Sequence, residues 1–372
     1  MATLRWNQVH AWRLSQQSLH ERPNCEHMLD VVARMGGAHA QLMSAAELSL
    51  WARVNDLTAL DVQDALWRDR MLVKTWAMRG TLHLVTTADF PLYVALFNTF
   101  THYRRASWLK YHGVTIAELE AIIEGVRSTL SDAGLTREQL AEALADQTNT
   151  PKLRELLQSG WGALLKPSAF LGDLCFGPNQ GQQVTFVRPA AWLATTQPSD
   201  EQQSRETVIR RYLTTYGPAT SDELARWFGM EVSAAKKHLR LLGSAVVEID
   251  VEGWKAWLLA ATLEQMDDLS VSGVVRLLPH FDPYTIAVAR HHQYLMPAEH
   301  KTRVYRAQGW ISPVVLVDGE IAGVWKHEKQ QNYVVIQIEL FAPPTDQVQH
   351  GIAAEAHRLG TFLETEVELV YV

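Results

Sequence analysis

Hydrophobic and polar positions follow the same order in three stretches of this chain. In each stretch a helical apolar pattern precedes a capping box, in which Ser or Thr stands three residues before Glu or Gln. The spacing predicts these preceding helices over residues 28–35, 116–130 and 208–216. The boxes pair Ser44 with Glu47, Thr136 with Gln139, and Thr220 with Glu223. Each box predicts the start of a second helix.

A third helical stretch and an alternating apolar pattern follow each box. The predicted third helices cover residues 60–69, 151–159 and 233–242. Alternation then predicts paired strands at 72–76 with 81–85, within 172–187, and at 245–251 with 254–259. Helix, capped helix, helix and hairpin is the order of a winged helix-turn-helix module. The sequence therefore predicts three such modules in tandem.

The C-terminal third has mostly strand-like patterns. Strands are expected at residues 274–278, 302–305, 314–317, 321–325, 334–340 and 367–372, and a helix at 346–364. The dipeptide Asp318-Gly319 is a strong hairpin signal. The predicted fold class is α+β, with three winged modules at 1–112, 113–193 and 205–261 and a β-rich, barrel-like unit at 262–372. The polar stretch 195–204 is the expected linker.

Composition and charge restrict the cellular setting. No run of about 18 uncharged apolar residues occurs, so no membrane span is expected, and the first residues lack the pattern of a signal peptide. Two cysteines are too few for a disulfide scaffold or a thiolate zinc site. We expect a cytoplasmic, nucleoid-associated protein that is monomeric, since one chain already provides several contacts.

The net charge of −7 argues mildly against a nucleic-acid partner, but the charge is uneven. Residues 68–112 carry seven Lys and Arg residues against two Asp residues. The third module also has a basic helix, whose other interpretation is an ordinary solvated face. The candidate DNA contacts are Arg79, His83, Arg104, Arg105, Lys110, Lys236, Lys237 and Arg240. For His83 a buried strand histidine is an equal alternative.

The candidate chemistry lies just before the first capping box. Two glycines at 36 and 37 end the preceding helix, so the residues up to Gln41 are expected to be extended. His39 and Gln41 would then project to one side, where they could hold and deprotonate a water molecule. A loop pair that satisfies backbone groups is the simpler interpretation. No metal-ligand spacing or phosphate-binding glycine loop occurs, so no metal and no cofactor is expected.

The whole chain resembles the AlkZ/YcaQ type of winged-helix DNA glycosylases. The resemblance lies in Gly-Gly-Ala-His-Ala-Gln at 36–41, in residues 75–84, in Leu-Leu-Pro-His-Phe-Asp-Pro-Tyr at 277–284, and in the hairpin 317–325. It implies three winged helices and a β-rich unit that form a concave DNA-binding surface, with the hairpin 314–325 inserting into DNA. For this hairpin, one edge of the C-terminal sheet is the alternative. The family motif is Gln-x-Gln or Gln-x-Asp. This chain has His39 at the first position and Gln41 at the last.

The resemblance implies a monofunctional, metal-independent glycosylase that hydrolyses the N-glycosidic bond of N3- or N7-alkylated purines in duplex DNA. Unhooking of interstrand crosslinks or bulky natural-product adducts is a further expectation. Gln41 would position the water and neutral His39 would accept its proton, so activity should fall as pH drops through roughly 6.5. The expected lesion pocket consists of Trp76, Met78, Asp282 and Tyr284. For Asp282 the alternative is a residue that holds its turn.

A non-catalytic DNA-binding regulator or lesion sensor is the competing prediction. Such a protein would need neither His39 nor Gln41 and would bind a particular sequence. A glycosylase would instead bind DNA weakly and without sequence preference, with salt sensitivity and a preference for damage.

Overall fold

Some helices of this chain begin at a side-chain cap, and two of the three predicted capping boxes are present. The structure, a computed structural model, describes residues 2–158, 162–194, 200–288 and 292–372. Thr136 accepts a hydrogen bond from the amide of Gln139, whose side chain accepts one from the Thr136 amide. Thr220 and Glu223 form the same reciprocal pair. The helix start predicted at Ser44 was wrong, because the helix begins at Met43 with Leu42 as its N-cap.

Helices make up much of the described chain. The α-helices of at least eight residues are Trp6–Gln16, Met28–Met35, Met43–Trp51, Phe90–Phe97, Ile116–Thr129, Arg137–Gln147, Glu201–Tyr216, Ser221–Phe228, Val232–Leu241 and Asp346–Phe362. The shorter α-helices are Ala59–Gln63, Ala106–Tyr111, Leu153–Leu157, Lys166–Phe170, Pro189–Trp192, Ala260–Met266, Pro283–Ala287 and Lys301–Val304. A π-helical turn, Asp64–Arg68, directly follows Ala59–Gln63. Part of the predicted helix 151–159 and of the predicted linker 195–204 lies outside the described residues.

Most of the strands fall near the predicted positions, whereas Ala2–Leu4 and Leu135–Thr136 were not predicted. They are Ala2–Leu4, Ala38–His39, Leu72–Trp76, Leu82–Thr86, Leu135–Thr136, Cys175–Gln180, Gln183–Val187, Val246–Val251, Trp254–Leu259, Val275–Leu278, Val314–Val317, Glu320–Lys329, Tyr333–Leu340 and Glu366–Tyr371. The predicted strand 302–305 was wrong. That segment is the helix Lys301–Val304, in which Val304 is the only buried residue, so no second apolar position supports an alternating pattern.

The chain divides into two compact units. Unit 1 comprises Met1–Val62, Ile209–Trp227 and Glu231–Val372, and unit 2 comprises Gln63–Val208 and Phe228–Met230. In unit 2 the hairpin Leu72–Trp76 with Leu82–Thr86 is antiparallel. In the same unit Leu135–Thr136 pairs with the second strand of the hairpin Cys175–Gln180 and Gln183–Val187.

Two sheets lie within unit 1. In the first, Ala2–Leu4 runs parallel to Val246–Val251, which is antiparallel to Trp254–Leu259. Among the described residues, the second sheet has five strands in sequence order, from Val275–Leu278 at one edge to Glu366–Tyr371 at the other.

The second sheet is open, so the expected barrel was wrong. The last strand, Glu366–Tyr371, pairs parallel with Tyr333–Leu340, and the helix Asp346–Phe362 makes the crossover that a parallel pair needs. That helix packs against both edge strands. It therefore occupies the face across which the two edges would have to meet.

Candidate active site

The segment that carries His39 is shaped by the two glycines before it. Gly36 has a φ of 71° and Gly37 a φ of 99°, in the left-handed region that favours glycine. Their amides donate to the carbonyls of Ala33 and Val32, which ends the helix Met28–Met35. The chain then enters the two-residue strand Ala38–His39. The helix end and the turn thus carry His39 directly into the interior of unit 1.

The two candidate catalytic residues have different surroundings. His39 is 5% exposed, whereas Gln41 is exposed in the bend before the helix Met43–Trp51. Gln41 therefore reaches solvent, and His39 has protein around it. Their joint action on one water remains a prediction.

The His39 ring packs against Phe281. Their ring centroids are 5.0 Å apart and their planes tilted by 37°. Phe281 has a φ of 57°, a left-handed conformation that is strained for a residue with a Cβ. Backbone strain of this kind persists only where the surrounding contacts hold it in place. The next residue, Asp282, provides those contacts.

Asp282 has no exposed surface and accepts hydrogen bonds on both oxygens. Arg53, equally buried, donates to Oδ1 and Oδ2 over 2.7 Å each, and the Ser49 hydroxyl donates to Oδ2 over 2.8 Å. The Tyr284 amide donates to Oδ1, so Asp282 also caps the helix Pro283–Ala287. A buried ion pair is tolerated when further hydrogen bonds satisfy it, as here. Asp282 thus holds the Phe281 turn to the helix Met43–Trp51.

The ring contacts continue from Phe281 toward solvent. Trp310, 44% exposed, packs 5.1 Å from the Phe281 ring, and the edge of His280 meets the Trp310 ring at 5.6 Å. His280 is oriented through Nδ1, which lies 2.9 Å from the Ile311 carbonyl oxygen. We call His39, Phe281, Trp310 and His280 the aromatic row. A row that leads from a buried imidazole to an exposed indole provides planar surface beside the candidate catalytic residue.

Tyr284 connects this region to the Asp318-Gly319 hairpin. It is fully buried, its hydroxyl donates to the Gly319 carbonyl over 2.7 Å, and burial raises the pKa of its phenol. A Cβ on Gly319 would lie 2.5 Å from the His10 Cβ, so the hairpin turn packs closely against the helix Trp6–Gln16. The hairpin strands are interior strands of the open sheet, and insertion of this turn into DNA would require the contact with His10 to separate.

The other candidate lesion-pocket residues lie in unit 2. Trp76 and Met78 are buried, and the Trp76 ring packs 4.8 Å from Phe176. His83 is also buried in its strand, with Nδ1 3.0 Å from the Thr81 carbonyl oxygen. Arg79 is half-buried, has a φ of 59°, and lines a cavity of about 750 Å³.

The basic candidates are mostly on the surface. Arg104, Arg105 and Lys110 are exposed in and beside the helix Ala106–Tyr111, and Arg104 pairs with Glu120 at 3.1 Å. In unit 1, the helix Val232–Leu241 exposes three cations, Lys236, Lys237 and Arg240. The structure thus brings His39, Asp282 and Tyr284 into one region of unit 1, and each unit has a basic surface of its own.

Sequence reasoning missed Arg53, Ser49 and Trp310. Arg53 lies in the turn after the helix Met43–Trp51 with no motif around it, and its partner is 229 positions away in the chain. Trp310 follows Gly309, and this glycine, a turn signal, was the one available clue in the sequence; in the structure Gln308 and Gly309 both have left-handed backbone.

Two features of the described residues concern metal ions and membranes. Within the described ranges, no three His, Cys, Asp or Glu side chains come close enough to hold a metal ion together. The helices in those same ranges are all too short or too polar to cross a bilayer.

The family follows from comparison with known proteins. The family model described as "DNA glycosylase AlkZ-like" matches residues 32–362, so the chain belongs to the AlkZ-like DNA glycosylase family. It is 37% identical over 339 residues to the "Interstrand DNA cross-link repair glycosylase" of Streptomyces sahachiroi. The alignment covers 88% of this chain and 89% of that protein. The solved structure of the S. sahachiroi DNA glycosylase AlkZ is 33% identical, with a TM-score of 0.90 and full coverage of both chains. The mixed α+β fold is therefore that of AlkZ.

Proposed function

We propose that this protein hydrolyses the N-glycosidic bond of N3- or N7-alkylated purines in duplex DNA, as a monofunctional glycosylase that needs no metal. The observation that carries the proposal is the position of His39 against Phe281, whose turn is held by the buried Asp282–Arg53 pair, in a member of a glycosylase family. The relative's role in crosslink repair supports interstrand crosslinks as a further substrate class.

The proposed chemistry requires little from the protein. An N3- or N7-alkylated purine is cationic and already a good leaving group, so the enzyme does not have to protonate it. Gln41, exposed beside the strand, would position a water molecule through its carbonyl oxygen. Neutral His39 would accept the proton from that water as the new bond to the sugar forms. Lone pairs of both side chains would stabilise the positive charge that develops on the sugar.

We propose that the predicted winged-helix modules, 1–112, 113–193 and 205–261, act as the DNA-binding units, with 262–372 supporting the Phe281 turn. The exposed Lys236, Lys237 and Arg240 suit contacts with the phosphate backbone. We further propose a monomeric enzyme whose partner is alkylated duplex DNA.

Base release from an N7-methylguanine duplex tests this function. We expect release by the wild type and its loss in His39→Ala and Gln41→Ala. His39→Gln, which restores the first residue of the Gln-x-Gln motif, should retain measurable release and guards against misfolding of the alanine variant. Matched controls are Gln349→Ala and His350→Ala, which change the same residue types at exposed positions on the helix Asp346–Phe362 of the same unit.

The outcomes separate the proposal from its rival. Release that is unaffected by either substitution would move the catalytic site away from His39 and Gln41. If methylguanine and crosslinked duplexes both stay intact, and binding prefers one undamaged sequence, the protein is a regulator and the proposed function is wrong.

A further inference from the structure

The cavity of about 750 Å³ in unit 2 has an unusual lining. Its size is within the range of small-molecule sites, about 300–1,000 Å³. Its polar lining is cationic or imidazole, and its apolar lining is rich in aromatic rings. None of the lining residues that the structure describes is Asp or Glu. The groups that can carry positive charge are Arg79, His102, His112 and Lys166.

Burial and charge lower the pKa values of two of these groups. Lys166 is partly buried, and that burial lowers the pKa of its ammonium. The pKa of His112 is lowered by burial and then by the nearby Lys166 charge. No carboxylate within the described ranges forms an ion pair with Lys166. A desolvated cation without a counter-charge favours an anionic ligand.

The backbone of Arg79 is fixed at the cavity wall. Its left-handed conformation is strained for an arginine, and a Cβ on Gly229 would lie 3.0 Å from the Arg79 Cα. Only glycine at position 229 permits this approach. Strain that the surrounding structure maintains is a common feature of ligand sites.

Aromatic side chains stand at the cavity on a helix that adds nothing to the core. The helix Ala106–Tyr111 has no buried residue, and Tyr111 is 85% exposed. The Trp108 and His112 rings are 4.1 Å apart, and the Tyr111 ring meets His112 edge-on at 4.9 Å. Rings that are exposed without a packing role suit a planar ligand that stacks on them.

We propose that this cavity binds a nucleotide of an unpaired DNA strand, with the base stacked on Trp108 and Tyr111 and the phosphate held by Lys166 and Arg79. Phosphate and planar base together match the cationic and aromatic lining. The proposal takes its DNA partner from the proposed function but needs no base release. A free nucleoside monophosphate has the same chemistry, and the test distinguishes the two sources.

Photocrosslinking can place the nucleotide. The full chain is irradiated in near-ultraviolet light with a single-stranded hexamer that carries 5-iododeoxyuridine, and the adduct is located by mass spectrometry. We expect the adduct on Trp108, Tyr111 or His112. Its yield should fall about fivefold or more in Tyr111→Ala, the effect of one stacking contact. Because Tyr111 is so exposed, this variant should fold normally.

The charge is tested with a matched pair of variants. Lys166→Met should weaken hexamer binding and lower the slope of log K against log salt by about 0.7, the value for one phosphate contact of a single strand. Lys152→Met removes an exposed lysine of the same unit that pairs with Glu118, and should leave the yield of the cavity adduct unchanged.

Competition identifies the source of the nucleotide. Unlabelled hexamer should compete at a lower concentration than deoxyuridine monophosphate, and uncharged deoxyuridine should not compete. Equal competition by the monophosphate would overturn the DNA strand as the ligand in favour of a free nucleotide. An adduct only outside the cavity, or a yield unchanged in both Tyr111→Ala and Lys166→Met, would overturn the site. If methylguanine and crosslinked duplexes both stay intact, binding prefers one undamaged sequence and the adduct is retained, the glycosylase proposal is wrong and the nucleotide site still stands.

Discussion

The two units of this protein differ in whether a buried or partly buried charge has a counter-charge. In unit 1, Asp282 and Arg53 are both fully buried and neutralise each other through two hydrogen bonds, with Ser49 as a further donor. In unit 2, Lys166 and His112 line a cavity whose described lining includes no carboxylate. A neutralised pair fixes backbone geometry, whereas a cation without a counter-charge, here Lys166, keeps its field for a ligand. The comparison separates a region built for positioning from one built for binding.

The largest effect is expected at the Asp282–Arg53 pair. Arg53→Met leaves a buried carboxylate without its cation and should cost about 3–5 kcal/mol of unfolding free energy, measured by urea denaturation. The double variant Arg53→Met, Asp282→Asn should recover part of this loss, since Asn is uncharged and still caps the helix. A single-variant loss below about 1 kcal/mol would contradict the positioning role of the pair.

Protonation of His10 should give the next largest effect. Burial, together with the neighbouring Arg13 charge, lowers the pKa of His10 to about 4. Between pH 6.5 and 4 the unfolded chain therefore binds this proton and the folded chain does not, so stability falls as pH falls. The total is about 3 kcal/mol, from about 1.4 kcal/mol per pKa unit.

The measurement is unfolding free energy against pH for the wild type and His10→Asn. The variant should lack this part of the slope, whereas His112→Asn in unit 2 should change it less because His112 is only partly buried. Parallel curves for the wild type and His10→Asn would show that His10 does not titrate in this window.

A pair of glycines tests the packing of the hairpin turn. Gly319 and Gly253 both have a φ of 92°, but a Cβ at 319 would collide with His10 and one at 253 would meet nothing within 4 Å. Gly319→Ala should therefore lower the free energy of unfolding by about 1–3 kcal/mol more than Gly253→Ala, because the Gly253 substitution adds backbone strain alone. Thermal unfolding measures the difference. Equal costs would mean that the turn does not press on the helix Trp6–Gln16.

The smallest effect on stability is expected at the unit 2 cavity. Lys166→Met keeps much of the apolar stem and removes a partly buried cation that has no carboxylate partner among the described residues, so stability should change by at most about 0.5 kcal/mol in either direction. Urea denaturation of Lys166→Met and Arg53→Met under the same conditions compares the two losses of unfolding free energy. A loss as large as that of Arg53→Met would mean that Lys166 is part of the structural core.

Local signals predicted the fold better than they predicted the site. Reciprocal hydrogen bonds at Thr136 and Thr220 confirm two helix starts that depend on residues three apart. The hairpin at Asp318-Gly319 is also confirmed, since its turn likewise depends on neighbouring residues and its strands pair antiparallel. The barrel prediction failed because closure depends on where the helix Asp346–Phe362 packs, which no local pattern states.

The site depends on contacts between distant parts of the chain. His39 and Gln41 were marked by the glycines beside them and by the family resemblance. The Arg53–Asp282 contact joins positions 229 residues apart, and nothing near Arg53 marks it. Phe281 lies inside the segment 277–284 that carries the family resemblance. Its left-handed backbone nevertheless follows from the contacts of Asp282 and not from its own residue type.

The first strand is synthesised long before the strand with which it pairs. Ala2 pairs with Ile249, and the helix after this strand packs its tryptophans into the same cluster as Ile249 and Val251. At about 5–20 residues per second, a ribosome delivers this partner strand roughly 10–50 s after the first one. Throughout that interval Trp6 and Trp12 lack the surface that buries them. The nascent chain therefore exposes an aggregation-prone N-terminal segment. Expression at low temperature or with added chaperones should reduce aggregation.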